Sequence, residues 1–220
     1  MPARFAPAVA RLCDTGGVTM DYEAAGIGRD LTALNESFLL LLSEGTDMGL
    51  PCQVTARLQG LARDPRQRLA GVPFALFSFG FEDGPAWVRL LSPGVRELRP
   101  EGPLPSPAAE RFSLLVLTCI RSLVQVSPCR IAAWAGLPAD TRARLAGLEI
   151  ATLRFVAPLA AAQLRGRFLP RAGLWLRLAE ACERNDSRQL AILGAFGLQW
   201  TIRRSLGLGA LQASGRGFRR

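Results

Sequence analysis

Residues 60–79 read GLARDPRQRLAGVPFALFSF, and residues 136–155 read GLPADTRARLAGLEIATLRF. At a constant offset of 76 residues, ten of the twenty positions are identical without a gap. Three further positions pair apolar residues: Val72 with Leu148, Phe74 with Ile150, and Phe77 with Leu153. Self-similarity at a fixed offset marks a repeated supersecondary unit. The pattern inside the unit is helical. Asp64-Pro65 reads as an N-cap followed by proline at the first helical position, and Asp140-Thr141 stands in the same place. Gly60 and Gly136 stand where a preceding helix should end.

Outward from this core the likeness weakens. Ser37-Phe38-Leu39-Leu40-Leu41 faces Ser113-Leu114-Leu115-Val116-Leu117, and Pro51-Cys52 matches Pro128-Cys129 one residue out of step. Trp87-Val88-Arg89-Leu90 resembles Trp175-Leu176-Arg177-Leu178 after a further shift. The expected fold is all-α, with two similar helical modules forming a pseudo-symmetric pair. Periodicity and caps place helices near 27–43, 52–62, 65–79, 84–91, 107–126, 128–136, 140–164, 171–183 and 186–204. The stretch 74–81, FALFSFGF, alternates and is aromatic, so it also reads as a short strand. Asn185-Asp186-Ser187 caps the last helix.

Between the copies, Pro93, Pro100, Pro103, Pro105, Pro107, Gly94 and Gly102 break any helix and mark a semi-rigid linker. The expected organisation is a poorly ordered N-terminal segment 1–25, a first module 26–92, a linker 93–107, a second module 108–205 and a basic tail 206–220. Residues 1–19 have no clear periodicity, which leaves Met20 as an alternative start. They form no signal peptide, because Arg4 and Arg11 interrupt the apolar residues. No apolar run is long enough for a bilayer.

Composition narrows the chemistry. The chain has 220 residues, 49% of them hydrophobic and 20% charged, enough for a sizeable core. All 27 basic residues are arginine, and histidine is absent. A histidine base, a histidine metal ligand and a Schiff-base lysine are thereby excluded. Cys13, Cys52, Cys119, Cys129 and Cys182 form no CxxC pair, which argues against zinc and for reduced core thiols in a cytoplasmic protein. Gly26-Ile27-Gly28 and Gly207-Leu208-Gly209 lack the third glycine of a nucleotide loop. Serine, threonine and cysteine have no base beside them, and the acidic pairs read as solvated faces. The expectation is a non-enzymatic protein with no cofactor, no metal and no small-molecule substrate.

The net charge of +9 is uneven: residues 1–100 sum to −1 and residues 101–220 to +10. A basic half-chain attracts nucleic acid or an acidic protein surface. Residues 130–145 show a helix, a turn at Gly136 and a second helix, the outline of a helix-turn-helix, with Arg142 and Arg144 at the end that would meet bases and phosphates. An ordinary helical hairpin with solvated arginines fits the same residues, and Arg142 stands where such a motif carries an apolar side chain. A second basic group, Arg154, Arg165, Arg167, Arg171 and Arg177, is interleaved with Phe155, Phe168 and Trp175. It reads either as a phosphate-binding face or as helix ends around core aromatics. The candidate residues for nucleic acid or an acidic partner are Arg130, Arg142, Arg144, Arg154, Arg165, Arg167, Arg171, Arg203 and Arg204.

Residues 113–157 resemble the FlhD family, the helical subunit of the bacterial flagellar master transcription regulator. The likeness is a Ser-x-Leu-Leu apolar helix, a short helix ending in Ala-Gly, and a helix of the form x-x-Leu-Ala-x-Leu. Residues 30–42, DLTALNESFLLLL, resemble the opening of such proteins. Members act as dimers and bind DNA with a zinc-bearing partner, FlhC, so a tandem copy implies a covalent pseudo-dimer. The resemblance implies a regulator that binds DNA or a transcription partner, itself or as a homo-oligomer. The alternative is a structural or adaptor protein of a bacterial secretion or flagellar system, working by protein–protein contact.

Overall fold

A computed structural model describes residues 20–205, except residues 82, 93, 96, 97, 99, 101 and 102. Residues 1–19 and the basic tail 206–220 lie outside the described residues, as does part of the proline-rich linker. Residues 20–25, expected in the poorly ordered N-terminal segment, open the first helix.

The long helix α1 (Met20–Ser43) buries Leu31, Leu34, Phe38, Leu39 and Leu42 along one stripe at helical spacing. It packs on α2 (Cys52–Gln59) and α3 (Arg63–Ala70). The second long helix, α5 (Pro107–Val126), starts on a Ser106 side chain that accepts from the Ala109 amide. It packs likewise on α6 (Pro128–Ala135) and α7 (Ala139–Gly147), and also on α8 (Ile150–Ala161). Helices α6 and α7 each begin 76 residues after α2 and α3.

The buried faces agree at offsets that step along the chain. Leu31, Leu34, Asn35, Phe38, Leu39 and Leu42 correspond to Ala109, Phe112, Ser113, Val116, Leu117 and Ile120, 78 residues on. Val54 and Leu58 correspond to Ile131 and Ala135 at 77, and Leu61 and Leu69 to Leu137 and Leu145 at 76. The long helices therefore match two residues away from the register that the serine-leucine runs suggest.

After Gly71 and Gly147 the two segments part. The helix expected over 65–79 ends at Ala70, and residues 74–81 run through the centre of the molecule with Phe74, Phe77, Phe79 and Phe81 fully buried. Pro73 supplies no amide hydrogen and biases Val72 away from helix. In the second segment Glu149 precedes α8 instead. The single helix expected over 140–164 is consequently two, broken at Leu148-Glu149. The caps also differ from expectation. Asp64 and Asp140 lie inside the first turns of α3 and α7, behind Ala62 and Pro138 as N-caps. Their charge still suits the helix dipole. Gly136 takes the left-handed conformation at φ +70, whereas Gly60 is right-handed at φ −76.

Strand β1 (Phe77–Ser78) pairs antiparallel with β2 (Arg165–Gly166), setting Phe77 opposite Gly166. Helix α4 (Gly84–Leu90) lies against α7 and α8. A 3-10 turn at Leu169–Arg171 leads into α9 (Ala172–Glu183), which packs on α2 and α3. Helix α10 (Ser187–Ser205) follows an Asp186 cap that accepts from the Gln189 amide, and packs on α6 and α9. The fold is all-α apart from the two-stranded pairing, and one hydrophobic cluster runs through both halves. Among the described residues no helix is long and apolar enough to cross a membrane.

Candidate anion-binding surface

The nine arginines proposed from the sequence occupy different environments. Arg167 is buried, 8% exposed, directly after β2. Its Nη1 donates to the carbonyls of Trp134 at 2.9 Å and Ala75 at 3.5 Å, and its Nη2 donates to the carbonyl of Ala135. The Arg167 backbone amide donates to the Leu76 carbonyl at 2.8 Å, and Trp175 Nε1 donates to the Arg167 carbonyl at 2.7 Å. This guanidinium ends α6, whose last carbonyls need donors, and ties it to the central segment. Its guanidinium is committed to carbonyls of the interior. Phe168 and Trp175 are buried with it, so these aromatics of the second basic group belong to the core.

The helix-turn-helix outline does not assemble as such a motif would. Thr141, expected to open a recognition helix, is 1% exposed. Helix α6 is seated on α10 and α5, and α7 on α5 and α4, with sparse contact between α6 and α7. Arg142 is half-buried, and its guanidinium donates to the Pro128 carbonyl at the start of α6. The apolar position that the motif would need is thus filled by an arginine serving as an internal tie. Arg66, its counterpart in α3, does the same to the Leu61 carbonyl at 3.1 Å. Arg144 is exposed on α7, and Arg130 is half-buried on α6. Arg154 is exposed on α8, lies 4.7 Å from the Phe155 ring centre, and borders a depression of 220 Å³ with Val95, Leu98 and Leu104. Arg177 shares a different depression with Glu180, Arg184 and Asp186, where both signs of charge are present.

The remaining four lie on β2, on the 3-10 turn and at the end of α10. Arg165 of β2 and Arg204 of the last turn of α10 line one concavity of 170 Å³, together with Ser78, Gly166, Arg167, Phe168, Leu169 and Pro170. Phe168 sits there in the left-handed conformation at φ 58, which is uncommon for an aromatic residue and turns the chain out of β2 into the 3-10 turn. Arg171, at the end of that turn, is exposed and stacks 3.8 Å above the Trp200 ring of α10 and 5.6 Å from Phe196. Arg203 is exposed beside Arg204. Two chain segments remote in sequence are held together here. Gly194 lies against Pro73, and Gly197 leaves no room for a Cβ, which would sit 2.2 Å from Phe74 Cε1. Those glycines let α10 approach the central segment, bringing its basic end to β2.

Sequence reasoning named the arginines of this surface but missed its aromatic half. Trp200 and Phe196 stand four residues apart on α10, a spacing visible in the sequence once the helix is assigned. Among the described residues no three histidine, cysteine, aspartate or glutamate side chains gather as a metal site would need. The thiols of Cys119 and Cys182 are pushed up to about 11 by burial, which keeps them protonated and unreactive at neutral pH. No protein-family model matches this chain, and neither a curated protein nor a solved structure matches it.

Proposed function

We propose that this chain is a non-enzymatic regulator that binds duplex DNA through the surface formed by Arg165, Arg171, Arg203 and Arg204. The observation carrying this reading is the convergence of Arg165 and Arg204, from β2 and α10, on one concavity, with Arg171 held beside it over Trp200. Guanidinium groups set by packing offer bidentate donors to phosphate at low entropic cost. The resemblance of residues 113–157 to the FlhD family supports the assignment to transcription control, with a protein partner or a second copy completing the regulator.

The test is duplex DNA binding across a salt series, wild type against Arg165→Ala/Arg204→Ala. Loss of two phosphate contacts lowers the magnitude of the log–log salt slope by about 2. Arg142→Ala/Arg144→Ala changes the slope less, because Arg142 faces inward. Absence of wild-type binding at low salt overturns the reading. An adaptor role is the second reading, favoured by the exposed Ile192 and Phe196 on α10.

A further inference from the structure

Helix α10 has two unlike faces. Leu193, Gly194, Gly197 and Thr201 are buried and seat the helix on the central segment. The outward face runs Arg188, Ile192, Ala195, Phe196, Gln199 and Arg203, all exposed. At its middle, Ile192 is 55% and Phe196 42% exposed, one turn apart, and half-buried Trp200 continues the row. Large apolar side chains left in water at i, i+4 spacing on an ordered helix form a ready contact stripe.

Charge decides what covers that stripe. Ser187–Ser205 contains Arg188, Arg203 and Arg204 and no aspartate or glutamate. Arg171 adds a cation at the flank, over Trp200 and near Phe196. The carboxylate closest in sequence, Asp186, is occupied as the cap of α10. A second copy presenting the same face would set arginine against arginine, which opposes pairing. Phosphates alone have no use for Ile192 and Phe196 at the centre. A stripe of aliphatic and aromatic side chains rimmed by arginine has the composition of a protein-binding hot spot.

From this juxtaposition we infer that the outward face of α10 docks an amphipathic acidic helix of a partner protein. The partner's apolar side chains cover Ile192, Phe196 and the edge of Trp200, and its carboxylates meet Arg171, Arg188 and Arg203. This goes beyond the DNA-binding reading and does not require it.

The probe is a synthetic amphipathic helical peptide with leucines along one face and glutamates along the other, beside a scrambled peptide of identical composition. Binding is read by anisotropy of the labelled peptide and by the part of the tryptophan emission change that Trp200→Phe removes. The patterned peptide binds the full chain, and the scrambled one binds at least tenfold more weakly. Phe196→Ala weakens the patterned peptide about tenfold, and Ile192→Glu abolishes binding while far-ultraviolet dichroism stays unchanged, because both positions are exposed. Arg165→Ala/Arg204→Ala keeps peptide binding, which separates this inference from the DNA reading. Equal binding of both peptides overturns the inference, as does indifference to Phe196→Ala. A loss on Phe196→Ala confined to duplex DNA or anionic phosphatidylserine vesicles also overturns it.

Discussion

At the scale of single residues, two buried polar side chains organise the interior. Asn35 Nδ2 donates to the carbonyls of Ala70 at 3.0 Å and Phe74 at 3.1 Å, and its Oδ1 accepts from the Leu76 amide at 2.9 Å. An extended segment inside an all-α core has no helical partners for its backbone, so side chains must supply them. Arg167 adds a guanidinium donor to the Ala75 carbonyl and its own amide to the Leu76 carbonyl, while the Ala75 amide donates to the Trp134 carbonyl and β2 pairs with Phe77 and Ser78. Arg167→Leu leaves buried carbonyls without donors, at ~1–3 kcal/mol each. We expect a loss of about 3 kcal/mol in chemical denaturation, or roughly 6–12 °C in melting temperature for a chain of this size. Asn35→Leu behaves similarly. Sequence reasoning gave Asn35 no role and read Arg167 as one arginine among many, because nothing local in sequence marks a side chain whose partners lie far along the chain. Cysteine reactivity follows burial. In a timed alkylation read by mass spectrometry, exposed Cys52 is modified well before Cys119 and Cys182. Burial makes those two thiols hold their protons in the folded state up to about pH 11, against an ordinary value of 9.0. The native chain binds more protons than the unfolded one in that window, so stability falls as pH rises from 9 towards 11.

At the scale of elements, sequence periodicity placed most helices, including α5, α6 and α10, and the Asp186 cap of α10, but not the N-caps of α3 and α7. The helix expected over 65–79 stops at Ala70, where the pattern meets Pro73, and the central extended segment that follows holds β1 at Phe77–Ser78, in line with the alternative reading of 74–81 as a short strand. The approach of α10 to that segment depends on Gly197. Gly197→Ala forces Phe74 or the helix to shift, costing about 1–3 kcal/mol in urea unfolding. Gly28→Ala, in α1 where a Cβ meets nothing within 4 Å, stabilises by about 0.5–1 kcal/mol in the same assay. Of the candidate surface, the arginines could be named from charge alone. Their sorting into buried tie, internal tie and outward group could not, because it is set by which helices end beside which.

At the scale of the whole molecule, the two halves of the chain share a core. Helices α2 and α3 pack on α9, α1 on α5, α4 on α7, and β1 pairs with β2. Each half therefore leaves large apolar faces uncovered without the other. Separately expressed fragments 1–106 and 107–220 are expected to lack cooperative melting, while the intact chain unfolds in a single transition with coincident near- and far-ultraviolet signals. Mixing the fragments and recovering that transition would show that the covalent connection between the halves is dispensable. The same arrangement matters on the ribosome. The aromatic run 74–81 waits for Arg167, 92 residues downstream of Ala75, before its carbonyls and its strand partner exist. At ~5–20 residues per second, that is an interval of roughly 5–20 seconds in which a β-prone, uncharged segment is naked in the nascent chain. A protein built this way is a natural client for holdase chaperones, and its yield should be governed by translation speed and temperature more than by the stability of the finished fold.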